Sequence, residues 1–201
     1  NGQWTPANGT SFGEVVSPTK PGYTADKAKV EAVNNVTEDT ADIVETVVYS
    51  PETQKLTYTV IDDTTNTTLE DKKDLASGDS NSEVKPETQT TYDNIVASYE
   101  AKGYELVRKD ALPTKFDTDT TVDQNVTIHL KHKTEVTQES KKVKQTINYV
   151  YKDNNPAEPA FPTVERELEF TRENTKDLVT NVVTNGQWTP ANGTSFGEVV
   201  S

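Results

Sequence analysis

Thr91-Tyr-Asp-Asn-Ile-Val-Ala-Ser-Tyr-Glu-Ala-Lys102, preceded by Leu56-Thr-Tyr-Thr-Val-Ile61 and followed by Asn125-Val-Thr-Ile-His-Leu130, decides the fold of the middle of this chain. Tyr92, Ile95, Val96 and Tyr99 fall on one apolar stripe. That spacing predicts a helix over Thr91–Lys102, with Thr90 or Thr91 as N-cap and Gly103 as C-cap. Leu56–Ile61 reads as a strand closed by a turn at Asp62–Asn66, and Tyr104–Val107 and Asn125–Leu130 read as strands after the helix. Strand, strand, helix, strand, strand is the order of a β-grasp.

Toward the C-terminus, Val143, Ile147, Tyr149 and Tyr151 share one face with Gln145, while Lys144, Thr146 and Asn148 turn away, a period of two that predicts a strand. In Val164–Phe170, VERELEF, the residues Val164, Leu168 and Phe170 point one way and Glu165, Glu167 and Glu169 the other. Three aligned carboxylates cannot be buried unpaired, so that face is wet. The Asn- and Pro-rich Lys152–Pro162 is a loop, making a long hairpin-like pair. Leu178–Thr184 and Ile43–Tyr49 read as further strands, with turns at Thr184–Gly186 and Pro21–Tyr23.

The first 17 residues, NGQWTPANGTSFGEVVS, recur unchanged as residues 185–201. Chance does not produce that identity, so the chain is read as one period of a tandem array plus an overlap. The period exceeds the ~20–50 residues of solenoid repeats and points to beads that fold independently. Within the duplicated segment Phe196, Val199 and Val200 show i, i+3, i+4 spacing after Thr194-Ser195, which predicts a helical turn or two. Each half of the period opens with a strand ending in an acidic turn (Asp62-Asp63; Lys152-Asp153) and carries a Gly-Tyr (Gly22-Tyr23; Gly103-Tyr104). The organisation expected is the C-terminal part of a larger domain at 1–49, a smaller domain at 50–133, and the N-terminal part of the next larger domain at 134–201. On that reading the limits of the chain fall inside the larger domain. Its two parts would then meet head to tail, the front of one molecule with the back of the next.

Composition narrows the function. A net charge of −13 argues against nucleic acid and anionic membranes, which recruit basic patches. There is no Cys and no Met, so neither disulfides nor cysteine metal sites are available. No 18-residue apolar span, signal peptide or lipidation signal is present, so membrane insertion is not expected and anchoring is assigned to sequence outside this segment.

Catalysis is not expected. His129 and His132 stand three apart on or just beyond a strand, where side chains diverge, and are read as a solvated strand end. Asp117, Asp119 and Asp123 place oxygen ligands at the short spacing of a calcium loop, but without its central Gly and terminal Glu; the plain reading is an acidic turn, and no cofactor is required. Leu112-Pro113-Thr114-Lys115 begins like a wall-sorting signal, but Gly does not follow, so it is a Pro turn. Trp4 and its copy Trp188 are the candidate ligand-binding residues. An indole face packs against a pyranose while neighbouring Asn and Gln bond its hydroxyls. Core packing is the competing assignment, since each period has one Trp.

Five stretches carry a resemblance: Ile147–Ala160 (INYVYKDNNPAEPA), Leu168–Thr180 (LEFTRENTKDLVT), Gly186–Pro190 (GQWTP), Ser17–Val30 (SPTKPGYTADKAKV) and the run from Leu56 to Lys131. Together they resemble the Mub-type mucus-binding repeats and MucBP modules of lactic-acid-bacterial surface adhesins. The resemblance implies an α+β, β-rich fold of two ubiquitin-like, β-grasp domains per repeat in an elongated, rod-like tandem array. It also implies extracellular display on a Gram-positive cell wall, binding of host mucin glycoproteins and, in some members, of immunoglobulins. Repetition of weak sites would supply avidity; a passive stalk is the alternative.

Overall fold

The computed structural model describes residues 2–198. These divide into two compact units, one running to Ser98 and resuming over Leu106–Leu130, the other made of Tyr99–Glu105 and the chain from Lys131 onward.

The first unit opens with four short strands, β1 (Val15–Val16), β2 (Tyr23–Ala25), β3 (Lys29–Val30) and β4 (Tyr49–Pro51), paired antiparallel as β1 with β3 and β2 with β4. Phe12 bridges Val33 just outside the first pair. The helical turn expected from the Phe-Val-Val spacing is therefore extended chain in this copy of the segment; Val199 and Val200 of the second copy lie outside the described residues. Partnership decides it, since Val15 and Val16 face Val30 and Lys29 across a ladder. The strand expected over Ile43–Tyr49 is irregular until Tyr49, with Val44 87% exposed.

A four-stranded sheet follows, built from β5 (Thr53–Asp62), β6 (Thr67–Asp79), β7 (Tyr104–Lys109) and β8 (Gln124–His132) in the order β6-β5-β8-β7. β5 and β6 form an antiparallel hairpin with three irregularities, and β5 runs parallel to β8. Helix α1 (Pro86–Glu100) crosses between β6 and β7. It begins five residues before the expected start. Proline suits the first turn, where its missing N–H is no loss, so Thr90 and Thr91 lie inside the helix rather than capping it. Gly103 closes the turn that follows, with φ +93°, a conformation L side chains resist.

Leu56 and Val60 of β5, Tyr92 and Val96 of α1, and Val126, Ile128 and Leu130 of β8 are buried. Each full burial of a large aliphatic side chain contributes ~1.5–3 kcal/mol. The Tyr92 hydroxyl donates to the Thr127 carbonyl (3.4 Å), tying α1 to β8. On the opposite face of β5, Thr57 and Thr59 are also buried, and both donate to the Asn125 side-chain carbonyl at 3.0 and 3.2 Å.

The turn at Gly22 seats against this sheet. Glu52 N–H donates to the Gly22 carbonyl (2.8 Å), Ser80 N–H donates to the Glu52 carbonyl (2.9 Å), and Asn81 donates to the Tyr23 hydroxyl (3.1 Å). Gly22 has φ +76°, and a Cβ there would stand 2.6 Å from Ser80 Oγ and 2.8 Å from Thr118 Cβ.

In the second unit β9 (Thr134–Val150) and β10 (Pro159–Asp177) form one antiparallel hairpin, far longer than the two expected strands. β11 (Val183–Asn185) and β12 (Thr189–Pro190) pair with the other edge of β10, and β9 pairs with β10 alone. The strand expected at Leu178–Thr184 is a turn, with Asn181 at φ 60°, before β11 begins. Tyr149 is half-buried against Phe161, ring centroids 5.8 Å apart, but Tyr151, read on the same strand face, lies beyond the end of β9 and is 42% exposed.

His132 is not a solvated strand end. Its side chain is 7% exposed, its Nδ1 lies 2.6 Å from Asp177 Oδ2, and the Tyr104 ring meets it edge-on. His129 is not a solvated strand end either: its side chain is 14% exposed, with Nδ1 2.8 Å from Asp63 Oδ1 and Nε2 2.8 Å from an Arg108 guanidinium nitrogen.

Candidate ligand-binding surface

The duplicated segment is seen in two settings. Its tight turn is the same in both, since Gly9 and Gly193 each have φ +94°. In the first copy Trp4 is 81% exposed and borders a concavity of about 390 Å³ shared with Pro6, Thr10, Val36, Thr37 and Glu38. In the second, β12 holds the backbone beside Trp188 on β10, and exposure of the indole falls to 37%.

What covers Trp188 is the face of β10 that the alternation marks as inner. Val164, Arg166, Leu168, Phe170, Arg172 and Asn174 share one parity. The Arg172 guanidinium stacks on the Trp188 ring at 4.6 Å, and the Arg166 guanidinium on Phe196 at 4.9 Å. Glu139 on β9 fixes Arg172 from behind (Nε to Oε2, 2.7 Å) and also accepts from Asn174 Nδ2 (2.9 Å). These two bonds hold the Glu139 carboxyl below the usual carboxylate range. Asn174 is 8% exposed, and its side-chain carbonyl is buried with no protein partner.

Trp188, Arg172, Glu139 and Asn174 thus form one cluster, an aromatic plate beside charged and amide groups. Of its members only Trp188 was expected from the sequence. The signal for Arg172 was available, as an arginine continuing the Leu168, Phe170 parity.

The acidic candidates are arranged differently. Asp117 accepts from the Asp119 N–H (3.2 Å), and Asp119 accepts from the Thr121 N–H (2.9 Å) and the Thr121 hydroxyl (2.5 Å). The bonds from Thr121 lower the Asp119 pKa. Among the described residues no three His, Cys, Asp or Glu are grouped to hold a metal ion, and no helix is long and apolar enough to cross a membrane. Asp123 follows the same turn.

The chain is mostly β-strand, and Trp188 and Arg172 are grouped on it beside Glu139 and Asn174. A Muc B2-like domain model matches residues 1–53 and 134–201, and a mucin binding domain model matches residues 54–132 between them. The chain belongs to the Muc B2-like family, one of mucus-binding adhesin repeats found in extracellular bacterial surface proteins. Among solved structures it is similar to Mub-RV (29% identity over 71% of this chain and 75% of that one, TM-score 0.55). It is also similar to a type 2 repeat of the mucus binding protein MUB from Lactobacillus reuteri (27% identity, 67% and 74% covered, TM-score 0.45). No curated protein matches it.

Proposed function

We propose that this chain is a non-catalytic repeat of a cell-wall-anchored adhesin of a Gram-positive bacterium, binding host mucin glycans by weak contacts multiplied along a tandem array. The observation that carries the reading is Trp188, whose indole keeps 37% of its surface open beside Arg172. A glycan ring stacks on the open indole surface, and its hydroxyls or acidic substituents meet the guanidinium. Single contacts of this kind are weak, and tethered copies multiply them by raising the effective concentration of the next.

The architecture attached to this reading is two β-grasp modules per repeat, the smaller at 50–133 and the larger divided between 134–201 and 1–49, completed head to tail in a rod-like array. The strand order around α1 supports the smaller module.

The test is retention of the chain on mucin before and after glycosidase treatment. Loss on deglycosylation is the expected result; unchanged retention would overturn the glycan reading. One observation favours a second reading in that event. β9 presents a 17-residue strand whose outer edge carries no partner strand among the described residues, and such an edge accepts an added strand from a protein such as an immunoglobulin. No retention on either form would make the repeat a spacer.

A further inference from the structure

The two copies of the duplicated segment use different halves of their backbone. In the second copy the backbone–backbone bonds to β10 come from its beginning: Gly186 N–H donates to the Glu173 carbonyl, Thr189–Pro190 pair with Phe170–Thr171, and Ala191 N–H donates to the Glu169 carbonyl, while from its end the Gly197 carbonyl accepts only from the Arg166 side chain. The equivalent residues of the first copy are Gly2, Thr5, Pro6 and Ala7, and there residues 2–7 belong to no strand. In the first copy the bonds come from its end. Phe12 exchanges two backbone bonds with Val33 (2.8 and 2.9 Å), Val15–Val16 pair with β3, and Ser17 N–H donates to the Ala28 carbonyl.

Among the described residues the two sets of backbone groups do not overlap, and the glycine between them has the same φ in both copies, +94° at Gly9 and Gly193. The aromatic rings agree. Trp188 and Phe196 lie on Arg172 and Arg166, whereas Trp4 and Phe12, the same residues of the first copy, are 81% and 60% exposed.

Phe12 lines a concavity of about 470 Å³ with Val15, Val30, Val33, Val36 and Ile43. Strand-face residues bearing Leu168 and Phe170 between two arginines are what would cover it.

We infer that the first-copy segment is a two-sided connector whose second partner is the β9–β10 hairpin of another copy of this chain. The register follows from the second copy: Thr171 opposite Thr5, Phe170 opposite Pro6, Arg172 on Trp4 and Arg166 on Phe12. The chain's own second copy holds the same hairpin edge and competes for it. This deepens the head-to-tail architecture proposed above, and because Trp188 and Arg172 also form the proposed glycan surface, it is tested without mucin.

The same substitution in the two identical segments must therefore act in opposite directions. Trp188→Ala weakens the resident competitor and raises association of the full chain; Trp4→Ala removes the incoming ring and lowers it. A cation–π contact of ~0.5–2 kcal/mol corresponds to an apparent Kd changed by about two- to thirtyfold. The measurement is sedimentation velocity of the full chain over a concentration series, without mucin, with Phe196→Ala and Phe12→Ala as a second opposed pair. Trp4 fluorescence in the Trp188→Ala chain adds a local readout, and it should shift to the blue as concentration rises.

Three results would overturn the inference. One is absence of concentration dependence in both Trp variants. Another is both variants moving the same way, which would leave head-to-tail order possible without this connector. The third is a blue shift independent of concentration, which would mean closure within one chain.

Discussion

His132 Nδ1 lies 2.6 Å from Asp177 Oδ2, and Asp177 Oδ1 also accepts the N–H groups of Val179 (2.8 Å) and Thr180 (3.0 Å). One carboxylate thereby fixes the turn after β10 and a ring at the end of β8. The Thr180 N–H, then His132, hold the Asp177 pKa down to about 2. A carboxyl depressed on folding stabilises the fold above its ordinary value, and that contribution is lost as pH falls through the folded one. Protection of the Val179 and Thr180 amides from hydrogen exchange should therefore decline as pH falls from about 4 toward 2, relative to other turn amides. Asp177→Asn should remove most of that pH dependence and lower protection at neutral pH.

Alkali acts on the other unit. Burial, then the charges of Asp110 and Asp93, push the Tyr92 hydroxyl up to about 12, and burial, then Glu70, does the same for Tyr58. The neutral phenol is the form the fold favours, so the contribution is present below ~10 and is lost as pH rises toward 12. Tyrosinate absorbance should show a late-titrating component in native protein that is lost in denaturant. Tyr92→Phe and Tyr58→Phe should each delete one late step.

Leu56→Ala removes a side chain with no exposure at the centre of the sheet. Loss of transfer energy plus the cavity predicts destabilisation of ~2–5 kcal/mol in urea unfolding. Val44→Thr, at a residue 87% exposed, should stay within about 0.5 kcal/mol.

Gly22→Ala places a Cβ against Ser80 and Thr118 in a left-handed backbone. Strain of that kind amounts to ~1–3 kcal/mol. The expected readout is local, a loss of exchange protection at the Glu52 and Ser80 amides with α1 unaffected.

Mucin retention should be greater at pH 4 than at pH 7 at matched ionic strength, because carboxylates on the Glu165, Glu167, Glu169 face lose charge and repel acidic glycans less. Lys142 holds the Glu167 carboxyl below its ordinary range. Lys142→Gln should move the gain toward higher pH. Equal retention at both values in both chains would remove the electrostatic basis.

The sequence showed most where a residue's periodicity and its partner coincide. β5, β8 and the Tyr92, Val96, Tyr99 stripe were legible because burial on one face leaves period two or 3.6 in the pattern. β6 had no bounds from pattern alone: Thr67–Asp79 is largely exposed and polar, and three irregularities in its pairing break the alternation. The outer half of β9 was missed for a related reason. Residues 134–142 are exposed on both faces and are held as a strand by the backbone ladder to β10. Ile43–Val48 failed in the opposite direction, as a good β pattern with no partner strand over most of its length. Val15 and Val16 show that a short apolar spacing fits helix or strand until a partner chooses. At the candidate site the Trp was evident because it is scarce, whereas Arg172 and Glu139 matter through register across the hairpin, which one strand's sequence does not contain.

The unpartnered edge of β9 carries a further consequence. A strand edge of this length with no partner among the described residues is a template for pairing with another chain. Lys141, Lys142 and Lys144 stand along its middle. If two such edges approached antiparallel, ammonium groups would be brought together, so these lysines act as gatekeepers against fibrils. Replacing all three with Gln should therefore raise aggregation of the chain, measured by light scattering.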